Sequence, residues 1–437
     1  MLGLLKRIFA PTESAPPAAS VPEPAPAQTL PTAALGREPI LDAGQSLVGY
    51  RFSHLPGTRA RAERQGRTVR HAYAEVLVRS LGSFGVLRQL GRRMAVLELP
   101  DSFIDHPCLD ALADGHPTVV LKSFADTPAA ESLAERVAAL RRNGVRIGLD
   151  ANPLAPHHES LLAEVDLLVF DAATDGPASL AQRIRHLSAA GPGSTIMVRG
   201  IAGIDDFTLA GKLGAVLFQG AFVTAREPWK KRSLGPDTAR LADLLSRLRR
   251  DADPRELADV LKRDGALSVR LLRYVNSAAV GLREPVTSFE HALQLLGRAR
   301  LERWLTLLML ATDGSSPRSA AVLEAALVRA RMMELLADGD DVARRDASFM
   351  AGLLSLIDVI LEMPLAEALA AFDPPAAIRD ALLHGEGHLA QLLALAQACE
   401  RADGDGLARA AAACGIAPET AGERHAQALA WALEVAE

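Results

Sequence analysis

Few side chains in this sequence are spaced for chemistry of their own. His384 and His388 lie four residues apart with Glu386 between them. On one face of a helix, that spacing offers two imidazoles to a metal. Gly385 and Gly387 interrupt any such helix, so the two are read as surface histidines rather than ligands. His157-His158-Glu159 is a second group, read as a loop without a site. Cys108, Cys399 and Cys414 are far apart, odd in number and form no Cys-x-x-Cys. Buried thiols in a reducing cytoplasm fit them better than disulfides or zinc. Arg247, Arg249, Arg250 and Arg255 gather near one helix end and are read as a solvated face, in preference to a dock for an acidic partner. No metal or cofactor is expected from these groups.

The elements that position any site fall into three stretches. Met1 to Ala10 has an apolar run broken by Lys6 and Arg7. It is neither a secretion signal nor a membrane span. It is read as a frayed terminus rather than a helix lying on a membrane or partner. Residues 11 to 35 carry seven prolines and few charges, so residues 1–36 are expected to be a disordered tail. From Arg37 short apolar runs recur at Ile40-Leu41, Met94–Leu99, Thr118–Leu121, Val145–Leu149, Asp166–Phe170, Thr195–Val198 and Val216–Phe218. Helical periods fill Glu131–Asn143 and Pro177–Ala190. Strands alternating with helices imply a parallel sheet, open or closed into a barrel.

The remainder is helical. Leu241, Leu244, Leu245 and Leu248 form one stripe, and Leu267, Leu271 and Val275 another. Asn276-Ser277 and Glu284-Pro285 break the chain, and Thr287 with Glu290 reads as a capping box. Gly297 is placed for a left-handed cap. Leu301, Trp304, Leu305 and Leu308 resume the stripe. A long helix is expected to run to about Ala337, then one apolar helix through Phe349, Leu353, Leu356, Ile357 and Ile360, then a last helix from Ile416 with Trp431 on its apolar side. The basic segment Pro228–Pro236 is a linker in which Trp229 is placed to anchor the junction. A net charge of −5 argues against a general nucleic-acid binder.

Two resemblances emerge. Asp264, Ala266-Leu267, Leu271-Leu272, Asn276-Ser277-Ala278 and Ala292 through Leu296-Gly297 resemble the HDOD family, helical signalling domains related to HD-type phosphohydrolases. Gly265 stands where that family usually has proline. The His-Asp dipeptide that HD enzymes need is absent from the sequence. Asn276 is read as a buried asparagine satisfying backbone rather than a ligand contact. In the first half, PILDAGQSLVGYRF, RRNGVRIGLDANPL, DLLVFD, VRGIAGIDDF and LGAVLFQGAFVTAREP resemble successive segments of the EAL domain, a barrel family that hydrolyses cyclic di-GMP. The fold expected is therefore α/β plus all-α: an altered TIM-like barrel over 37–228, followed by a helical HDOD domain over 229–437. About 190 residues is short for eight full strand–helix units, so helices are expected to be missing.

The EAL resemblance implies a two-metal site of carboxylates at the strand ends. At the matching positions this chain has Arg51, Glu98, Lys122, Asp150, Asp171, Arg199 and Ala202. An arginine about 4 Å from a dication costs several kcal/mol even at an effective dielectric near 20. The expectation is a lost metal site, no phosphodiesterase activity and no enzyme. Arg51, Lys122 and Arg199 are expected to pair with Glu98, Asp150 and Asp171 as a plug, in preference to an open basic mouth that binds a phosphate-bearing ligand. The architecture implied is that of a cytoplasmic, non-catalytic regulator acting through contacts with a signalling protein. The alternative is a nucleotide receptor without turnover.

Overall fold

The computed structural model describes residues 35–436 except 55–64, 84–86, 88–89, 116, 125, 127–129, 153, 175, 227–228, 230–233, 254–255, 258–288, 313–316, 338–340 and 402–403. Residues 1–34 of the expected tail and the signature residues Asp264, Asn276 and Ser277 lie outside the described residues, while Leu35 and Gly36, expected in the tail, begin the first strand of the barrel.

Eight strands close a barrel in sequence order: β1 (Leu35–Asp42), β2 (Leu47–His54), β3 (Met94–Pro100), β4 (Thr118–Lys122), β5 (Arg146–Asp150), β6 (Leu167–Asp171), β7 (Thr195–Arg199) and β8 (Leu217–Phe218). β1 runs antiparallel to both β2 and β8, and every other pair is parallel. Helices α1 (Arg67–Ser83), α2 (Ala130–Arg142), α3 (Pro177–Ala190) and α4 (Ile204–Lys212) follow β2, β4, β6 and β7. The short sequence is accommodated in the other two links. β3 to β4 uses the 3-10 turns Asp101–Phe103 and Pro107–Gly115, and β5 to β6 uses Pro156–Leu161.

Alternation along the strands builds the interior in layers. Ile40, Val96, Val120, Leu167, Val169 and Met197 form a separate buried cluster that fills the lumen. Gly148 completes that layer, since a Cβ there would lie 3.1 Å from both Val120 and Leu167 side-chain atoms. The odd-even partners Ala95, Leu97, Leu99, Val119 and Leu121 face outward into the larger core under the helices. Two residues further along each strand, the same inward parity reaches Arg51, Glu98, Lys122, Asp150, Asp171 and Arg199.

The helical half comprises α5 (Pro236–Arg249), α6 (Phe289–Thr312), α7 (Ser319–Leu336), α8 (Val342–Leu354), α9 (Ile357–Leu361), α10 (Leu365–Phe372), α11 (Ala376–His384), α12 (Gly387–Arg401), α13 (Gly404–Cys414) and α14 (Pro418–Ala436) among the described residues. Gly297 has φ +72 and ψ 165, so it forms a kink between two helical pieces of α6 instead of the left-handed cap expected. The single helix expected through Phe349 and Ile360 is two helices. The Ser355 hydroxyl donates back to the Gly352 carbonyl at 2.7 Å, and Leu356 leaves helical geometry. α8 crosses α7 so closely that a Cβ on Gly352 would sit 2.6 Å from the Ala330 Cα. Gly385 at φ +70 ends α11, which separates His384 from His388. Arg249 is not part of a solvated face: its side chain is 11% exposed and pairs with Glu302 at 2.7 Å.

The barrel and the helical half meet in a buried seam. Glu324 of α7, 3% exposed, accepts from Arg37 at 2.6 Å, from the Tyr50 hydroxyl, and from Arg93 at 3.2 Å. Burial, and after it the Glu324 charge, pushes the Tyr50 phenol far up against the pull of Arg37 and Arg93, so it stays a donor. Arg226 pairs with Asp358 at 2.6 Å, and Arg318 donates to the Phe222 carbonyl at 3.2 Å. The Arg318 guanidinium also lies 6.0 Å from the half-buried Trp229 ring at the junction. A cavity of about 270 Å³ opens along this seam, lined by Arg37, Tyr50, Glu324, Arg329 and His425 among others. Burial pulls the His425 imidazole down to about 4. An unfolded histidine ionises near 6.5. Between pH 6.5 and 4 the unfolded chain therefore binds the extra proton, and stability falls as pH drops through that window. His425→Leu is expected to flatten this acid limb by up to roughly 3 kcal/mol, read as the pH dependence of the urea midpoint. An unchanged limb would place the sensitivity elsewhere.

Candidate functional site

The carboxyl ends of the strands carry one connected network. Arg51 donates to Glu98 at 2.8 Å and to Glu38 at 2.8 Å. Arg199 donates to Glu98, to Asp171 at 2.9 Å and to Asp150 at 3.4 Å. Glu98 is thus shared by two arginines whose side chains are 8% and 7% exposed. The arrangement follows from register. Glu38 is the direct cross-strand partner of Arg51, and Asp171 that of Arg199.

Electrostatics match the geometry. Burial alone would lower both guanidinium pKa values. Glu98 and Glu38 more than reverse this at Arg51, and Glu98, Asp150 and Asp171 do so at Arg199. Asp150 is held above the usual carboxylate range, by burial first and Glu98 next, against Arg199, Lys122 and Asn152. Its long contact with Arg199 explains why burial prevails there. The Lys122 ammonium lies 5.9 Å from the Phe124 ring and attracts Asp150 from there. Ala202 is exposed and brings no polar group.

Five of the expected residues therefore meet in direct contact: Arg51, Glu98, Asp150, Asp171 and Arg199. The mouth is occupied by ion pairs and is not an open basic surface. Three participants were not anticipated from sequence. Glu38 was hidden by a register shift between Ile40 and Leu41: counting from the turn alone sets it opposite Tyr50, and the shift brings it opposite Arg51. Asn152 donates to Asp150 at 3.1 Å and accepts the Asp171 amide at 3.0 Å. Arg183 of α3 reaches Asn152 at 2.8 Å. Nothing local in the sequence marks those last two.

The pair His157-His158 is not a bare loop. His158 is fully buried, and both rings reach Asp101, His157 at 3.3 Å and His158 at 3.1 Å.

An eight-stranded barrel followed by an all-helical unit defines a two-domain architecture, TIM-like and then helical. Residues 238–373 match the HDOD domain family, so the helical half carries an HDOD domain. The chain is 24% identical over 409 residues to the cyclic di-GMP phosphodiesterase CdgJ of Vibrio cholerae, covering 93% of this chain and 94% of that protein. It is 24% identical over 292 residues to the uncharacterized protein YuxH of Bacillus subtilis, covering 64% and 70%. The barrel resembles the EAL-domain protein YkuI of Bacillus subtilis, solved with cyclic di-GMP and calcium, at 15% identity over 54% of this chain and 72% of that one, with TM-score 0.36.

These findings relate the chain to cyclic di-GMP signalling, and they correct one expectation. The chain was expected not to be an enzyme, because the EAL carboxylates are altered. A relative aligned along nearly the whole chain is named a phosphodiesterase, which overturns that expectation. The physical reason is that the altered carboxylates bear on one metal set alone, whereas the same barrel face carries the cluster of Asp101, His157 and His158, whose histidines read from sequence alone as a loop without a site. Among the described residues no helix is long and apolar enough to cross a membrane.

Proposed function

We propose that the chain acts in the cytoplasm as a regulator in cyclic di-GMP signalling, through contact with a partner signalling protein. One observation carries this reading. Arg37 and Glu38 are adjacent on β1, and the first holds Glu324 of the helical half while the second holds Arg51 of the barrel mouth. Successive residues of a strand point to opposite faces. β1 therefore ties the charge network of the mouth to the seam with the HDOD domain, and the two domains form one platform with their outer surfaces left for a partner. The HDOD match and the name of the Vibrio cholerae relative support placing that platform in cyclic di-GMP signalling.

The test uses the full chain as bait in cells with an active cyclic di-GMP network, followed by reconstitution of the complex. A stoichiometric complex that survives size exclusion is expected, and its stability should change in Glu38→Ala or Arg37→Ala. Purified chain that binds no protein and by itself converts cyclic di-GMP to product would replace this reading with that of a self-sufficient phosphodiesterase.

A further inference from the structure

Asp101, His157 and His158 meet where the two short links of the barrel meet. Asp101 follows β3 directly and opens the Asp101–Phe103 turn, and the histidines open the Pro156–Leu161 turn after β5. All three therefore lie on the carboxyl face of the barrel, outside the ion-pair network. One carboxylate oxygen, Asp101 Oδ2, stands 3.3 Å from His157 Nε2 and 3.1 Å from His158 Nε2. One ligand atom from each residue lies within 4.8 Å of the others.

We propose that these three side chains bind a divalent transition-metal ion of the zinc type. Two imidazole nitrogens and one carboxylate oxygen are one of the donor sets that catalytic zinc sites take from a protein. Bonds of about 2.0–2.1 Å in a tetrahedron set neighbouring ligand atoms about 3.3 Å apart. The two measured carboxylate–imidazole separations match that edge with little movement. The ligands also sit on short, tightly turned segments, with Asp101 and His158 fully buried, so little ordering is needed on binding. The side chain of His157 is 27% exposed, which gives the ion an entry path. The His157 and His158 rings stand edge to face at 4.4 Å, which separates their Nε2 atoms and aims both at the same carboxylate. Ser123 Oγ, 3.3 Å from His157 Nε2, is a further polar group at the rim. Three protein ligands leave one coordination position open to water or an oxyanion.

The alternative is a metal-free triad, in which one carboxylate oxygen accepts from two imidazoles, and the experiment separates the two. Purified full-length chain is stripped with chelator and titrated with zinc chloride by calorimetry. X-ray absorption is then recorded on the loaded protein. One zinc per chain is expected, with two imidazoles in the absorption pattern. His157→Ala and Asp101→Asn should each weaken binding at least ~10-fold. His157→Ala carries the argument, since that ring is half-buried and its loss leaves the fold intact, as circular dichroism will verify. His106→Ala is the control, because His106 stands beside Cys108 at 3.0 Å and is the rival zinc-binding group. Absence of stoichiometric zinc overturns the proposal. So does binding that survives His157→Ala and Asp101→Asn, or that is lost with His106→Ala.

Discussion

Glu98→Gln is expected to destabilise the barrel by about 3–5 kcal/mol, the usual cost of removing one partner from a buried charge group. Glu98 is the carboxylate on which Arg51 and Arg199 both depend, and all three side chains are less than a tenth exposed. Without its charge, Arg51 keeps Glu38 among the described residues, while Arg199 keeps Asp171 and the longer contact to Asp150. The loss cannot be followed by tryptophan fluorescence, because Trp229, Trp304 and Trp431 all lie beyond the barrel strands. Hydrogen exchange of peptides covering β3 and β7 under native conditions reports it directly. A second readout comes from Asp150, whose raised pKa owes part of its shift to Glu98. In the variant that carboxyl should titrate lower. A compensated variant, Glu98→Leu with Arg51→Met, should recover part of the stability, since Arg199 keeps Asp171 and Asp150 while Glu38, 29% exposed, can be solvated. A Glu98→Gln cost within about 0.5 kcal/mol, as for an exposed pair, would mean that water screens the mouth.

Much of this was legible in the sequence because β strands impose a two-residue period. Once Val96, Val120, Val169 and Met197 are read as inward, Glu98, Lys122, Asp171 and Arg199 must follow on the same face. Charges of both signs at one level of a barrel then have to pair. What stayed hidden depended on contacts across long sequence separations. The partner of Arg37 and Tyr50 is Glu324, 287 and 274 residues away, and no local pattern marks it. His157 and His158 gave no sign of their partner either, because Asp101 approaches from a different strand–turn unit. The break at Ser355 was missed because apolar periodicity runs straight through it, whereas a side chain bonded back to the backbone sets the helix end.

Glu324→Ala is expected to uncouple the two domains and to cost about 3–5 kcal/mol in the seam. The residue is a single buried carboxylate serving Arg37, Tyr50 and Arg93, and the Arg37 side chain is itself only 8% exposed. Truncation leaves a guanidinium in low dielectric with its ring contact to Tyr50, 4.1 Å to the centroid, as its remaining support. It also leaves a phenol that burial keeps protonated without its acceptor. Faster hydrogen exchange should appear in β1 and α7 together, and thermal unfolding should separate into a barrel transition and a helical one. Glu324→Gln retains a hydrogen-bond acceptor without the charge, so its effect should fall between wild type and Glu324→Ala. The same variant probes the coupling along β1: if Arg37 loosens, Glu38 is freed to shift, and exchange near Arg51 should rise although no mouth residue has changed. Exchange confined to α7, with β1 and β2 undisturbed, would mean that the seam and the mouth are independent and that β1 carries no signal between them.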